Sequence, residues 1–338
     1  TGPVKGLIMK TLSKYLRRPV WRPKSVRTEG EVSKPSEMQP THSAAGWRRA
    51  VSYVIWPGLL ATALTLTGLG MQTEYPVLVF NAVYVCFALT VGLFERLLPH
   101  ERTWLENDHQ TLANLSHTLL NKGLVQVAVV VSAAVGAAAV VDPSEASYAI
   151  WPESWPLWAQ AVLGLVVAEF GLYWAHRLAH EIPFLWRFHA VHHSVTRLWF
   201  INTGRFHFVD TFWSILLSQP LLYVLGAPLD VFLWVSATTA FIGILTHCNI
   251  ETRTGYLDFI FNTPQLHRWH HSMRLEEGNR NYGENLMLWD RLFGTYYDDP
   301  SRRPPARIGI HEPMPARFRD QLVYPFRSPP AEESSPAE

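Results

Sequence analysis

Histidine is the residue type whose number and spacing in this chain most directly predict chemistry. The sequence has 338 residues and 15 histidines, and ten of these lie between His176 and His271. Eight of the ten form three clusters, which are His176 and His180, then His189, His192 and His193, and finally His267, His270 and His271. Each cluster contains histidines three or four residues apart, a spacing that places side chains on one face of a helix.

So many clustered imidazoles predict a site for two metal ions. Imidazole binds iron, copper, zinc and nickel, and one ion takes about six ligands at most. The set differs from the carboxylate-rich di-iron sites of soluble helical bundles. The sequence also lacks the His-Glu-x-x-His motif of zinc proteases and the Cys-x-x-Cys motif of zinc deaminases. Cys86 and Cys248 are too few for an iron–sulfur cluster, which takes about four thiolates.

Long apolar runs are the elements that must position these clusters. The chain is 48% hydrophobic and 17% charged, whereas soluble domains carry about 25% charged residues. Four runs approach the roughly 20 residues that cross a bilayer, and they are 51–71, 76–94, 123–141 and 156–175. Two shorter runs, 211–226 and 231–246, predict a hairpin, and Pro220 in the first predicts a broken helix. We therefore expect an all-α membrane bundle of four to six segments with a helical cap that carries the histidines.

Helix signals accompany each histidine cluster. The first cluster directly follows the run 156–175, so one helix is expected to leave the membrane carrying it. Pro183 precedes the second cluster, and Thr263 and Pro264 precede the third as an N-cap and a first helical residue. Glu169 lies within the run 156–175, two helical turns before His176. A carboxyl group there predicts either a hydrogen bond to a ligating imidazole or a protonated acid bonded to a neighbouring helix.

The distribution of Lys and Arg predicts the orientation in the membrane. The tail 1–45 and the loops 95–122 and 176–207 carry basic residues, whereas 72–75 and 142–155 carry none. By the positive-inside rule, both termini and all three clusters face the cytoplasm. We divide the chain into a disordered or interfacial tail (1–45), a membrane-embedded domain (46–300) and a C-terminal segment (301–338) that is disordered from about residue 326.

The clusters and their neighbours resemble the sterol desaturase and fatty acid hydroxylase superfamily, over about residues 50–298. Tyr-Trp-Ala-His-Arg at 173–177 and Leu-Trp-Arg-Phe-His at 185–189 look like its first two histidine boxes. The segment 263–272, followed by Asn-Tyr-Gly at 281–283 and Leu-Trp-Asp-Arg-Leu-Phe-Gly-Thr at 288–295, looks like its third box and closing signature. The chain resembles bacterial members of unassigned substrate more than it resembles a named sterol enzyme.

The resemblance implies ligands beyond the three clusters. His247 matches a histidine that is often a ligand, and His207 lies in a stretch that usually reads His-Pro-x-Glu. This chain has Phe208 and Asp210 in that stretch, a departure that puts the metal role of His207 in doubt. The implied ligands are His176, His180, His189, His192, His193, His207, His247, His267, His270 and His271, with Glu169, Asn249 and Asp210 as residues that support them.

The resemblance also implies the activity. It predicts an oxygen-dependent enzyme with two iron ions, or zinc on misloading, that hydroxylates or desaturates an unactivated C–H position of a fatty acyl, sterol or related lipid. Because the chain carries no motif for a redox carrier, a ferredoxin, a flavodoxin or a b-type cytochrome with its reductase must supply electrons. Arg187, Arg197, Arg268 and Arg274 would attract an acidic carrier or anchor the protein at lipid headgroups.

Three other functions remain open from the residues alone. They are a metal-binding or transport membrane protein, a zinc-dependent membrane hydrolase and a lipid-binding scaffold without catalysis. The net charge of +1 gives no indication of nucleic-acid binding. We expect a bacterial inner-membrane protein whose substrate reaches the site from the bilayer.

Overall fold

The computed structural model describes residues 46–124, 127 and 150–327, and every regular element within them is helical. The α-helices, numbered in chain order, are α1 (Gly46–Gly70), α2 (Pro76–Leu97), α3 (Thr111–Ser116), α4 (Leu157–Glu181), α5 (Pro183–His193), α6 (Phe208–Val224), α7 (Leu229–His247), α8 (Pro264–His270), α9 (Leu275–Gly278), α10 (Leu288–Phe293) and α11 (Phe318–Val323). A π-helical turn, His117–Lys122, continues α3, and short 3-10 turns span Thr103–Leu105, Phe200–Gly204, Gly255–Phe259 and Tyr324–Phe326.

Four of these helices, α1, α2, α4 and α7, are long and apolar enough to cross a membrane. Three of the four long apolar runs form α1, α2 and α4, and the fourth, 123–141, lies almost wholly outside the described residues. The shorter run 231–246 forms most of α7, which at 19 residues reaches spanning length. The preceding helix, α6, is continuous through Pro220, so the predicted break at this proline was wrong.

Helix α7 lies at the centre of the bundle because it packs against α1, α2 and α4. Phe241 on α7 is fully buried, and its ring meets those of Phe80 and Phe87 on α2 at centroid distances of 5.9 and 5.0 Å. Helices α4 and α6 approach closely at Gly171, where a Cβ would lie 2.1 Å from the carbonyl oxygen of Leu217. The absence of a side chain at Gly171 thus lets α6 pack directly on the helix that carries the first cluster.

The outward faces of the long helices are apolar. Val54 and Leu69 on α1 and Val77 and Leu89 on α2 are each more than half exposed. An apolar surface of this kind is stable in contact with lipid and unfavourable in water. The exposed side chains therefore agree with a membrane protein.

The helices that carry the later clusters form a cap at one end of the bundle. The chain after residue 300, which we set apart from the domain, packs onto this cap as far as residue 327. Ile308 is buried with Trp104, Val195 and Leu198, and the Trp104 indole N–H donates to the Ala306 carbonyl at 2.8 Å. The predicted tail 1–45 and the last residues, 328–338, lie outside the described residues.

Candidate metal centre

Nine of the ten predicted histidine ligands converge into two groups in the cap. Within each group, one nitrogen of every ring lies within 4.8 Å of the corresponding atoms of the others. Site A contains His176, His180, His189, His193 and His270. Site B contains His192, His247, His267 and His271.

Each site draws its histidines from several helices. The last two turns of α4 supply His176 and His180 to site A, and the final residue of α7 supplies His247 to site B. The clusters on α5 and in the α8 region are each divided between the sites. Rings of the two sites are in contact, since those of His193 and His271 stack with centroids 4.4 Å apart.

The inward nitrogens fit a bound transition metal. The Nε2 atoms of His176, His189 and His270 are buried and have no hydrogen-bond partner among the described residues. A buried nitrogen left in this way is costly, so native structures rarely contain one without a function. A metal ion in the group would accept these lone pairs.

Distances between the remaining inward nitrogens agree with this interpretation. The Nε2 atoms of His180 and His193 lie 3.1 Å apart in site A. In site B, Nε2 of His267 lies 2.9 Å from that of His247 and 3.1 Å from that of His271. Two nitrogens bound at right angles to one ion at ~2.1 Å lie about 3.0 Å apart.

Oxygen acceptors hold the outward nitrogens of three site A rings, those of His176, His180 and His270. His176 Nδ1 donates to the Tyr282 carbonyl and His270 Nδ1 to the Arg280 carbonyl, both at 2.7 Å. The Nδ1 atom of His180 lies 3.0 Å from the side-chain oxygen of Asn279. Because a carbonyl oxygen can only accept, Nδ1 carries the proton and Nε2 presents its lone pair to the site.

Two of the four site B rings are supported in the same way. His247 Nδ1 lies 3.0 Å from Asn202 Oδ1, and His192 Nδ1 lies 3.3 Å from the Arg205 carbonyl. The Phe206 ring stacks on the His192 ring with centroids 4.2 Å apart and planes 12° apart. These contacts fix the rings of His192 and His247 before any ion is bound.

Burial favours the uncharged form of five histidines of the cap. At His192, His193, His267, His270 and His271, burial lowers the pKa well below the ordinary value, and neighbouring imidazoles lower it further. A neutral imidazole is the form that binds metal. The cap thus presents ligands that need not lose a proton near neutral pH.

Of the three predicted supporting residues, Asp210 alone contacts a site imidazole. Its Oδ2 accepts from His189 Nδ1 at 2.8 Å, in the first turn of α6. Asn249 does not support a ligand directly, because its amide bonds to the backbone of Glu101 and its N–H donates to Glu95. It instead joins the end of α7 to the segment after α2.

Glu169 takes neither of the roles predicted for it. It is fully buried, and its Oε1 accepts the backbone N–H groups of Glu284 and Asn285 at 2.6 and 3.0 Å. Its Oε2 accepts from the Asn285 amide at 2.7 Å. The acid therefore bonds to a loop rather than to an imidazole or a neighbouring helix, and this loop follows Tyr282, the residue whose carbonyl holds His176.

His207 is the predicted ligand that the structure does not bring to either site. It is the N-cap of α6, where its Nδ1 accepts the Val209 N–H at 3.2 Å. Its Nε2 donates to the Leu322 carbonyl at 3.2 Å, and its ring packs against Phe188 and Phe326. Both nitrogens are thus occupied by the fold, in the stretch that departs from the family pattern.

Two of the four arginines considered for a carrier surface are buried. Arg268 is fully buried and donates to the carbonyls of Cys248 and Ile250, each at 2.9 Å. Arg197 is buried and donates to the Trp104 carbonyl and to Asp108, each at 2.9 Å. Neither can attract a carrier, because both guanidinium groups are buried and bonded within the fold. Arg274, by contrast, is 66% exposed.

Sequence reasoning missed the residues that hold the outward nitrogens. Asn202 and Asn279 carry no signal of their own, because each acts on a histidine at least 45 residues away. Trp186 was also missed, although its half-buried ring lies 5.2 Å from that of His180 and 5.5 Å from that of His193. Its position in the second histidine box is the signal that could have identified it.

The region that contains most of these histidines matches a known protein family. The fatty acid hydroxylase family model matches residues 161–295. The chain is 53% identical to ornithine lipid hydroxylase OlsE of Rhizobium tropici, over 82% of this chain and 84% of that protein. It is 34% identical to alkylglycerol monooxygenase of Danio rerio, over 52% of this chain and 38% of that protein. No solved structure matches the chain significantly.

Proposed function

We propose that this chain, which belongs to the fatty acid hydroxylase family, is an oxygen-dependent membrane hydroxylase whose substrate is an amino-acid-containing lipid. The main support for the proposal is the convergence of nine histidines on two sites, because nine imidazole ligands are suited to binding two transition-metal ions. The substrate class comes from OlsE, which is named an ornithine lipid hydroxylase and matches over 84% of its length.

We infer that both resident ions are iron, and that zinc is the ion that overexpression would misload. Bound iron supplies the activation of molecular oxygen for insertion into an unactivated C–H bond. The chain holds the outward nitrogens of His189, His247 and His176 through Asp210, Asn202 and the Tyr282 carbonyl, respectively. Eight of the nine ligands are buried, all but His180, which limits the access of water.

The position of the sites in the bundle supports a lipid substrate. Helices α4 and α7 both have spanning length, and both end in predicted ligands. Sites A and B therefore lie where the bundle leaves the bilayer, and an apolar chain can reach them laterally. From the Lys and Arg bias we place this end, and both termini, on the cytoplasmic side of a bacterial inner membrane.

The other functional classes lack comparable support. A transporter would place ligating residues within the apolar spans, whereas the described sites gather at helix ends. A zinc hydrolase would need a carboxylate base facing the metal, and Asp210 contacts the outward nitrogen of His189 instead. Hydroxylation is favoured over desaturation because the similar relatives are named hydroxylases and monooxygenases.

Each turnover needs two external electrons, so we propose that a separate ferredoxin, flavodoxin or b-type cytochrome docks on the cap. Of the four arginines, only Arg274 and Arg187 are not fully buried, and we propose that they attract an acidic carrier, although Arg274 also lies 3.5 Å from a carboxylate oxygen of Glu277. Omission of the carrier from a reconstituted reaction should then stop multiple turnover. Sustained turnover with a nicotinamide cofactor alone would contradict this requirement.

Oxidation of a defined lipid by the iron-loaded full chain tests the proposed function. The protein is incubated aerobically with ornithine lipid, a ferredoxin and its reductase, and the lipid is analysed by mass spectrometry. A gain of one oxygen atom is the expected result, and loss of two hydrogens would identify a desaturase. Unchanged lipid, with two irons bound and the carrier turning over, would refute the substrate.

A further inference from the structure

Two segments between the spanning helices and the cap expose apolar side chains outside the two metal sites. They are the turn Gly255–Phe259 with the residue after it, and the short helix α10. Their exposed side chains, which are between 38% and 90% exposed, are those of Tyr256, Phe259, Ile260, Leu288, Leu292 and Phe293. We call these six residues the apolar rim. Apolar side chains grouped in this way are unfavourable in water and indicate a surface that another molecule covers.

Backbone and side-chain contacts join the two segments of the rim. The Met287 N–H, next to α10, donates to the Ile260 carbonyl at 2.9 Å. The guanidinium carbon of Arg291 on α10 lies 4.3 Å from the centroid of the Phe259 ring. The six side chains therefore belong to one structural unit rather than to two separate loops.

This unit packs alongside two spanning helices, at positions well inside their ends. Trp289 of α10 donates its indole N–H to the Val166 carbonyl on α4 at 3.1 Å, and its ring lies 4.9 Å from that of Phe170. The ring of Phe261, which follows the turn, lies 5.2 Å from that of Trp56 on α1. The three helix residues all lie within the apolar runs of α1 and α4. The unit thus contacts the parts of these helices that cross the bilayer.

Arginines on the two helices give the depth of these contacts. Helix α1 begins on the side of the cap, because the segment before the turn bonds to its second helical turn, and α4 ends there. Arg49 is the last arginine before Trp56, and Arg177 is the first after Phe170. Each arginine lies seven positions from its aromatic residue, which is about 10 Å along a helix with a rise of ~1.5 Å per residue. Both helices therefore place the contacts about one third of the way into a hydrocarbon core of ~30 Å.

The composition of α10 suits a helix that lies just beneath the lipid headgroups. Leu288 and Leu292 are four positions apart, so they share one face of the helix. Arg291 is exposed at the edge of this face. A guanidinium group is unfavourable in hydrocarbon, but a long arginine side chain can reach the headgroups while its helix contacts the acyl chains.

We propose that the apolar rim inserts into the leaflet nearest the cap and contacts the acyl chains of membrane phospholipids. The rim adjoins the lipid-facing sides of the spanning helices, where Val54 on α1 and Val162 on α4 are more than half exposed. This continuity, together with the depth of the contacts, identifies lipid as the molecule that covers the rim. Insertion holds the cap against the bilayer, whichever lipid the enzyme oxidises.

Spin labels attached to the rim test the insertion. Leu288→Cys and Leu292→Cys are labelled one at a time in the full chain, with Cys86→Ala to remove the exposed native cysteine, whereas Cys248 is buried. Each protein is reconstituted into phosphatidylcholine vesicles. Electron paramagnetic resonance then measures collisions of the label with oxygen, which concentrates in the bilayer, and with a nickel chelate, which stays in water. At both positions the ratio of oxygen to nickel collisions should be several-fold higher than at a position in water.

Two further labels calibrate this ratio. Leu89→Cys replaces a side chain on α2 that is 64% exposed, and its label should give a high ratio because it faces lipid. Glu276→Cys replaces an exposed acid on α9, and its label should give a low ratio because it faces water. Metal content equal to that of the unlabelled protein shows that each labelled variant is folded.

Two results would overturn the inference. A ratio at Leu288 and Leu292 as low as that at Glu276 would show that the rim faces water. Few collisions with either reagent would show that protein covers the rim, and spectral broadening that disappears on dilution with unlabelled chain would identify a second copy as that protein. The measurement needs no turnover, so a failure of the proposed function would leave the inference standing.

Discussion

The imidazole of His189 and the carboxylate of Asp210 are 2.8 Å apart, and both side chains are buried. The contact joins α5 to the first turn of α6 and turns the free Nε2 of His189 toward site A. Residues that hold the outward nitrogen of a ligand typically change metal affinity by about 10- to 100-fold. Asp210 is therefore expected to act on the metal through His189.

We expect Asp210→Ala to lower the affinity of site A for iron by about 10- to 100-fold. Asp210→Asn retains an oxygen acceptor and should lose less. Iron retention against a graded chelator measures the effect, and Asp230→Asn, at an exposed position on α7, is the control. If Asp210→Ala retains iron as well as the wild type does, Asp210 does not stabilise the metal through His189.

Loss of one ligand from either site should abolish oxidation without unfolding the protein. His193→Ala affects site A and His271→Ala affects site B, whereas the packing of the membrane helices lies elsewhere. Each variant should elute as a folded protein in detergent and bind less metal than the wild type by elemental analysis. Turnover like that of the wild type in either variant would show that the histidine is not a ligand.

The position of His207 predicts a stability effect without loss of metal. His207→Ala should keep its metal but lose about 1 kcal/mol of stability, because the N-cap of α6 loses its acceptor. His207→Asn, which can still cap the helix, should be closer to the wild type. Metal content and thermal unfolding are measured together, with His247→Ala as the variant that should lose metal.

Glu169 should stabilise site A through the loop that follows Tyr282. Glu169→Gln replaces one acceptor oxygen by a donor that faces the donors of this loop, and a buried group left without its hydrogen bond costs about 1–3 kcal/mol. We expect a lower unfolding temperature and faster loss of iron from site A. Unchanged stability with altered oxidation would instead indicate a direct role in catalysis.

Reporter fusions test the orientation that the loops predict. A reporter inserted at residue 148 should face the outside, and one at the C-terminus should face the cytoplasm, because basic residues are concentrated in the loops 95–122 and 176–207. Paired fusions with a phosphatase and a fluorescent protein distinguish the two sides. Both positions on the same side would contradict the topology.

The sequence by itself determined the helical class and the histidines that converge. Spacing of three or four residues is a local property, and it places imidazoles on one helix face in any fold. The apolar runs that form α1, α2 and α4 are also local properties, because a run is recognised by its own residues and by a length that matches the thickness of a bilayer. These features could therefore be predicted from the sequence without knowing which helices pack together.

The tertiary structure decided how the ligands are shared and what holds them. His192 and His193 are adjacent in sequence, but successive residues of a helix point about 100° apart, so they serve different sites. The partners of His247 and His180, Asn202 and Asn279, are 45 and 99 residues away. The spacing of residues in the sequence predicts which face of a helix a side chain occupies. Packing between distant segments determines which atoms that side chain contacts. For this reason the contacts of Glu169 could be identified only from the fold.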